Sequence, residues 1–143
     1  MKLDHIHMVV SDRPSMLDWL ETVFGIVPAP GFEAWAERPG GPIFTMTSDA
    51  EHAIAVFEPQ DGRSASQVGD HTIAFAVTPD RFIRIADHAK ALGLVPPPGM
   101  PAKTIDPVDI GLAVSIFIEG PEGTRFEITC YDLEEVRARL KSG

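Results

Sequence analysis

The chain has 143 residues, 44% of them hydrophobic and 23% charged, and a formal net charge of −9 at pH 7. That is the composition of a folded domain rather than a disordered segment, and the length suits one hydrophobic core of ordinary size. The negative charge excludes nucleic acid or an anionic membrane surface held by bulk electrostatics, since both polyanions are repelled, and leaves a small molecule or a protein as the expected partner.

The first seven residues carry Lys2, Asp4, His5 and His7 and no apolar run, so neither a signal peptide nor a membrane anchor is expected. No later stretch approaches the roughly 18 apolar residues of a membrane span. The lone Cys130 has no partner for an internal disulfide, and a reducing cytoplasm is the expected compartment.

Residues 3–10 are rich in β-branched and apolar side chains, the mark of a strand. Ser11-Asp12 with Pro14 then signals a helix start, and Met16, Leu17, Leu20, Val23 and Phe24 recur at helical spacing up to Gly25. Three short strands are expected next, over 32–38, 43–48 and 53–58, separated by Pro39-Gly40-Gly41 and Asp49-Ala50-Glu51. The first unit therefore reads βαβββ.

The polar stretch from Pro59 to Gln67 is the natural seam, giving module one at 1–59, a linker at 60–68, module two at 69–131 and a C-terminal helix at 132–143. Beyond the seam the order repeats: a strand over 70–77, a helix over 80–92, a weak strand near 94–96, a strand over 113–119, a Gly-Pro-Glu-Gly turn and a strand over 124–131. Asp132 can cap the terminal helix. The Pro- and Gly-rich stretch 96–111 is long for a connection, either a lid over a pocket or a plain surface loop.

The repetition extends to the residues themselves. Leu3-Asp4-His5-Ile6-His7-Met8-Val9-Val10 is echoed by Gly69-Asp70-His71-Thr72-Ile73-Ala74-Phe75-Ala76-Val77, with His71 lying 66 positions after His5. Self-similarity over a strand-helix unit points to a duplicated module. The expected fold is α+β: two βαβββ modules forming a cupped mixed sheet with helices on the outer face.

Strand alternation puts His5, His7 and Val9 on one face and, in the second copy, His71, Ile73, Phe75 and Val77 on one face. Aligning the later strands through their turns sets Glu127 against Ala55. If the two modules pack into one cup, His5, His71 and Glu127 point inward, two imidazoles and a carboxylate, a ligand set that suits Fe(II), Mn(II), Zn(II) or Co(II) and leaves open positions. His7 is an alternative to His5 by parity, or a proton carrier; Glu127 on an outward face would instead be a solvated acid.

Alternation also turns Ala55, Phe57, Phe75, Thr129 and Tyr131 toward the cup, a largely apolar lining with few polar tips that favours a small apolar molecule. Asp4 and Asp70 adjoin the histidines, but neighbours along a strand face opposite ways, so neither is expected to hold an imidazole. His52 and His88 read as surface residues, and Cys130 as packing. No phosphate loop, nucleophile elbow or Cys pair is present.

Leu3-Asp4-His5-Ile6 with Val10-Ser11-Asp12, Asp70-His71-Thr72-Ile73-Ala74-Phe75, and Gly120-Pro121-Glu122-Gly123-Thr124-Arg125-Phe126-Glu127-Ile128 together resemble the vicinal oxygen chelate superfamily, the glyoxalase, bleomycin resistance and extradiol dioxygenase group. The resemblance implies paired βαβββ modules and a divalent metal that chelates adjacent oxygens of a substrate. It matches His5, His71 and Glu127 to the family's metal positions and implies a homodimer. Ala55 stands where glyoxalase I and methylmalonyl-CoA epimerases place a further ligand, which disfavours both.

Extradiol dioxygenases carry an additional His and a Tyr that His88, on a helix, and Tyr131, after Glu127, do not match. The potassium loop of fosfomycin-modifying transferases is not matched by Asp109-Ile110-Gly111-Leu112. The expectation is a divalent-metal-dependent enzyme of dioxygenase-like or lyase type. Its substrate is a small, largely apolar molecule chelated through adjacent oxygens, with His7 or Tyr131 moving protons. The alternative is a metal-free, drug-sequestering protein like the bleomycin resistance members.

Overall fold

A computed structural model describes residues 3–60, 62, 65, 71–100 and 103–142. Most of the expected linker, and Asp70, lie outside the described residues. The chain divides into two compact units, Met1–Gly69 and Asp70–Gly143.

In the first unit β1 (Ile6–Val9) leads into α1 (Arg13–Phe24), followed by β2 (Val27–Pro28), α2 (Glu33–Ala36), β3 (Ile43–Met46) and β4 (His52–Phe57). In the second, β5 (Thr72–Ala76) leads into α3 (Pro79–Ala91), then β6 (Val108–Asp109), β7 (Val114–Glu119), β8 (Arg125–Cys130) and α4 (Leu133–Ser142). The sheets have the same plan, β1-β4-β3-β2 and β5-β8-β7-β6. In each, the first strand pairs parallel with the last and the remaining pairs are antiparallel. This is the α+β arrangement of two βαβββ units.

The first helix starts and stops where the sequence says. Asp12 accepts from the Ser15 N–H at 3.0 Å, satisfying one of the orphan donors of the first turn. At the other end Gly25 takes φ 67°, the left-handed conformation that closes α1 at little steric cost. The face thus fixed buries Met16, Leu20, Val23 and Phe24 of α1, and Met8, Val10, Ile54 and Val56 are buried with them in the first unit. Each such side chain removed from water contributes on the order of 1.5–3 kcal/mol.

The second unit buries Phe82, Ile85, Ala86 and Ala89 of α3 with Ile116, Ile118, Phe126, Ile128 and Cys130 of its sheet and Val136 of α4. Across the helices, the Arg139 guanidinium bonds both Glu135 of its own helix and Asp80 of α3. Arg137 forks onto Asp109, at 2.7 and 2.9 Å, and ties α4 to β6. Within the Pro-rich stretch Ile105 is buried, and the Pro98 carbonyl accepts from Arg125.

Two expected strands are absent. Residues 33–36 form α2, because Phe32, Trp35 and Ala36 recur at helical spacing and both rings pack on Phe44. The sixth strand is Val108–Asp109 rather than 94–96, since Pro96, Pro97 and Pro98 have no N–H to offer a ladder. The carbonyl of residue 95 accepts from the Glu119 N–H.

Candidate metal and ligand site

On the first unit, His7 sits beside Ala55 and Val9 beside Phe57, and Phe44 of β3 also pairs with Ala55. Paired residues share a face of a sheet, so His7, Val9, Phe44, Ala55 and Phe57 form one row, opposite the row of Met8, Ile54 and Val56. Ala29, Phe44, Ala55 and Phe57 are buried as one apolar cluster against which Val9, Phe32 and Met46 pack.

At the edge of this cluster stands His5, its side chain 26% exposed. Asp4 Oδ2 lies 2.6 Å from His5 Nδ1. An ionised carboxylate only accepts, so this contact places a proton on Nδ1; in the neutral imidazole Nε2 then keeps its lone pair, the arrangement that metal-binding histidines use. His5 Nε2 faces His7 Nε2 at 3.3 Å, and the two rings stack with centroids 5.3 Å apart. Phe44 meets the His5 ring edge-on at 4.6 Å, and Phe57 meets the His7 ring at 4.8 Å.

The contact overturns the expectation that Asp4 would not hold an imidazole. Both Asp4 and His5 precede β1, which begins at Ile6; outside the ladder, strand alternation does not separate neighbours. The equivalent expectation for Asp70 lies outside the described residues.

Phe44 has a second role. It stacks on Phe32 at 4.8 Å, with Trp35 against its edge, and lines a cavity of about 480 Å³ together with Pro28, Pro30, Phe32, Ala36 and Ile43. The walls are mostly apolar, with Glu33 and Glu37 among the lining residues. Such a volume fits a small organic ligand. The backbone N–H of Gly31, aided by Glu33's own, holds the Glu33 carboxyl below its ordinary pKa, so the lining carries negative charge at neutral pH. Gly41 seats α2 beside this cavity: a Cβ there would stand 1.8 Å from the Trp35 carbonyl oxygen.

On the second unit, Glu127 pairs with Ala74 on one side and Phe117 on the other, and Thr129 pairs with Ala76 and Ser115. The Ser115 hydroxyl is 2.7 Å from Glu127 Oε1 and 3.1 Å from Thr129 Oγ1. With one proton it donates to one of them at a time, and bonded to Oε1 it fixes the carboxylate while leaving Oε2 as a donor atom. Ser115 and Thr129 are buried and Glu127 half-buried. Sequence reasoning missed Ser115, although a lone hydroxyl in the apolar run of β7 was a signal.

The same register corrects the face assigned to Phe75. It pairs with Ile128, and Ile73 pairs with Phe126, so both stand on the face opposite Glu127. The row shared with Glu127 is Thr72, Ala74 and Ala76, all exposed. Ala55 and Glu127 hold equivalent stations in the two sheets, with His7 and Ala74 beside them respectively; counting back two residues sets His5 against Thr72, not His71. His71 is exposed and lies just ahead of β5. Tyr131 follows β8 and is 68% exposed, while Phe57 is 6% exposed.

Among the described residues no group of three or more His, Cys, Asp or Glu side chains stands together as a metal-holding cluster. Each unit by itself nevertheless holds a donor of a kind that divalent ions take: in the first an imidazole held by a carboxylate, in the second a carboxylate held by a hydroxyl.

Comparison with protein families bears on this arrangement. The Glyoxalase/Bleomycin resistance protein/Dioxygenase superfamily matches residues 2–128. The chain belongs to this superfamily. A comparison with curated proteins gives no match.

Solved structures of similar fold include a mutant of the genomically encoded fosfomycin resistance protein FosX from Listeria monocytogenes, with TM-score 0.66 and 21% identity over 98% of this chain and 97% of that one. A protein from the mobile metagenome of V. pseudocholerae has TM-score 0.63 and 16% identity over 92% and 95% of the two chains. A virulence protein from Salmonella typhimurium has TM-score 0.62 and 16% identity over 92% and 97%. These likenesses establish the fold that the superfamily shares. Among the described residues no helix is long and apolar enough to cross a membrane.

Proposed function

We propose that this superfamily member is a divalent-metal-dependent enzyme, of dioxygenase-like or lyase type, acting on a small, largely apolar molecule that presents two adjacent oxygens. One observation carries the reading: Phe44 packs on the ring of His5 and also walls the 480 Å³ cavity. A ligand whose apolar part fills that cavity lies against Phe44, the residue that also borders the His5 imidazole.

The proposed ligands are His5, His71 and Glu127, as the family pattern implies, with Fe(II), Mn(II), Zn(II) or Co(II) as the ion. A bound ion of this kind supplies Lewis acidity, stabilising negative charge on substrate oxygens. The chain's own residues do the rest. Asp4 orients His5, Ser115 orients Glu127, Phe57 and Thr129 contribute lining, and His7 or Tyr131 carries protons. The FosX structure from Listeria holds Mn(II) with 1S,2S-dihydroxypropylphosphonic acid, a molecule with two adjacent hydroxyls, which supports a search among such compounds. A homodimer belongs to the proposal, and sedimentation checks it.

The cavity also favours a second reading, since an apolar pocket of this size would sequester a drug or metabolite without metal. Metal-stripped and metal-reconstituted protein, screened against catechols, hydroxycarbonyl compounds and dihydroxyalkyl phosphonates with product analysis and oxygen uptake, separates the two. Turnover only in the reconstituted protein is expected. Equal ligand binding by both forms with no turnover supports the sequestering protein instead.

A further inference from the structure

His5 leads into the edge strand β1 and His7 lies within it, and their Nε2 atoms stand 3.3 Å apart. Two arrangements give that separation. Either one Nε2 carries a proton donated to the other, or both lone pairs face a common cation. Metal–imidazole bonds of about 2.1 Å spanning 3.3 Å subtend about 104°, close to a tetrahedral angle. The spacing is therefore one that two imidazoles on a single ion can take as well as a hydrogen-bonded pair.

Asp4 places a proton on Nδ1 of the first imidazole, and in its neutral form His5 then has its lone pair on Nε2, the atom 3.3 Å from His7 Nε2. Phe44 and Phe57 flank the two rings and hold their planes. We infer that His7 is a ligand of the same divalent ion as His5, so that β1 and the residue leading into it supply a two-imidazole chelate within the first unit. The inference rests on the metal-dependent reading above and deepens it.

The register of the second unit is compatible with the inference. Thr72 occupies the station equivalent to His5, so β5 sets no imidazole in the row of Glu127. A chelate of His5 and His7 lies wholly within the first unit and needs no imidazole from β5. It also reassigns His7: a ligated imidazole has no free lone pair for proton transfer, which leaves that work to Tyr131.

Nitrogen-15 spectra of the histidine side chains of the full chain, titrated with Zn(II), test this. Both His5 and His7 Nε2 resonances are expected to shift together on addition of the metal, in the unmodified chain and in His71→Ala alike. His7→Ala and His7→Gln are each expected to weaken Zn(II) binding by about tenfold or more. A His7 Nε2 that keeps its proton in the zinc complex, or affinity unchanged within about twofold in both His7 variants, overturns the inference.

The two proposals fail separately. Binding that depends on His71 and Glu127 while His7 stays silent overturns the chelate and supports the metal-dependent reading. Zinc held by His5 and His7, indifferent to Glu127→Gln and accompanied by no turnover, does the reverse.

Discussion

Asp4 Oδ2 and His5 Nδ1 stand 2.6 Å apart, a charge-assisted contact between sequence neighbours at the point where the chain enters its first strand. It fixes which nitrogen of His5 is available. Asp4→Asn keeps the shape but replaces a charged acceptor with a neutral amide, and metal affinity is expected to fall by roughly 10–100-fold. Calorimetric titration with Zn(II) or Mn(II) measures it, and Asp4→Glu should recover part of the loss. Unchanged affinity in Asp4→Asn would remove the carboxylate from the account.

Gly41 is expected to tolerate no side chain. An added Cβ would lie 1.8 Å from the Trp35 carbonyl oxygen, a backbone atom that moves only if α2 moves. Because α2 carries Glu33 and Ala36 of the cavity wall, Gly41→Ala should both destabilise the chain and lower the affinity of apolar ligands. Denaturant unfolding together with binding of a fluorescent apolar probe reads the two effects. A variant as stable as the parent, with the same probe affinity, would show that α2 does not depend on this glycine.

Much of the fold was legible because local signals agreed with packing: Asp12, Pro14 and Gly25 bracket α1, and the apolar alternation of β4, β7 and β8 matches the buried face. Two signals misled. Residues 32–38 offered aromatic and apolar side chains suited to either a strand or a helix, and the rings of Phe32 and Trp35 find Phe44 only from a helical turn. In the repeat, matching histidine to histidine gave an offset of 66, whereas the apolar rows, Ile6 with Ile73 and Met8 with Phe75, run at 67. Burial, not identity, sets strand register. Asp4 escaped because strand periodicity was applied one step beyond the strand, and Phe44 because its role depends on a cavity that no linear pattern shows.

That register has a consequence of its own. Thr72 shares the row of Glu127 and His71 precedes it, so moving the imidazole by one residue should improve its access to that face. The double variant His71→Ala with Thr72→His is expected to bind Zn(II) about tenfold more tightly than His71→Ala alone. Equal affinity of the two would mean that the row of β5 contributes nothing to metal binding.

The fork between Arg137 and Asp109 predicts a pH signature away from the site. Arg137, followed by the Gly111 N–H, holds the Asp109 carboxyl down to about 2. A pKa lower in the folded chain than in the unfolded one stabilises the fold at pH values above the ordinary carboxylate range, and that contribution is lost as pH falls toward 2. Thermal unfolding of the parent and Asp109→Asn should differ slightly at pH 6, since both partners are exposed, and the difference should shrink below about pH 4. A difference that persisted at pH 2 would need another cause.

The most direct test of the central claim is the metal content of the full chain purified without chelator and then incubated with Fe(II), Mn(II), Zn(II) or Co(II), beside His5→Ala treated identically. One tightly held divalent ion per chain in the parent and none in the variant is expected. A parent that retains no ion, or a variant that retains as much, would contradict a metal centre at His5.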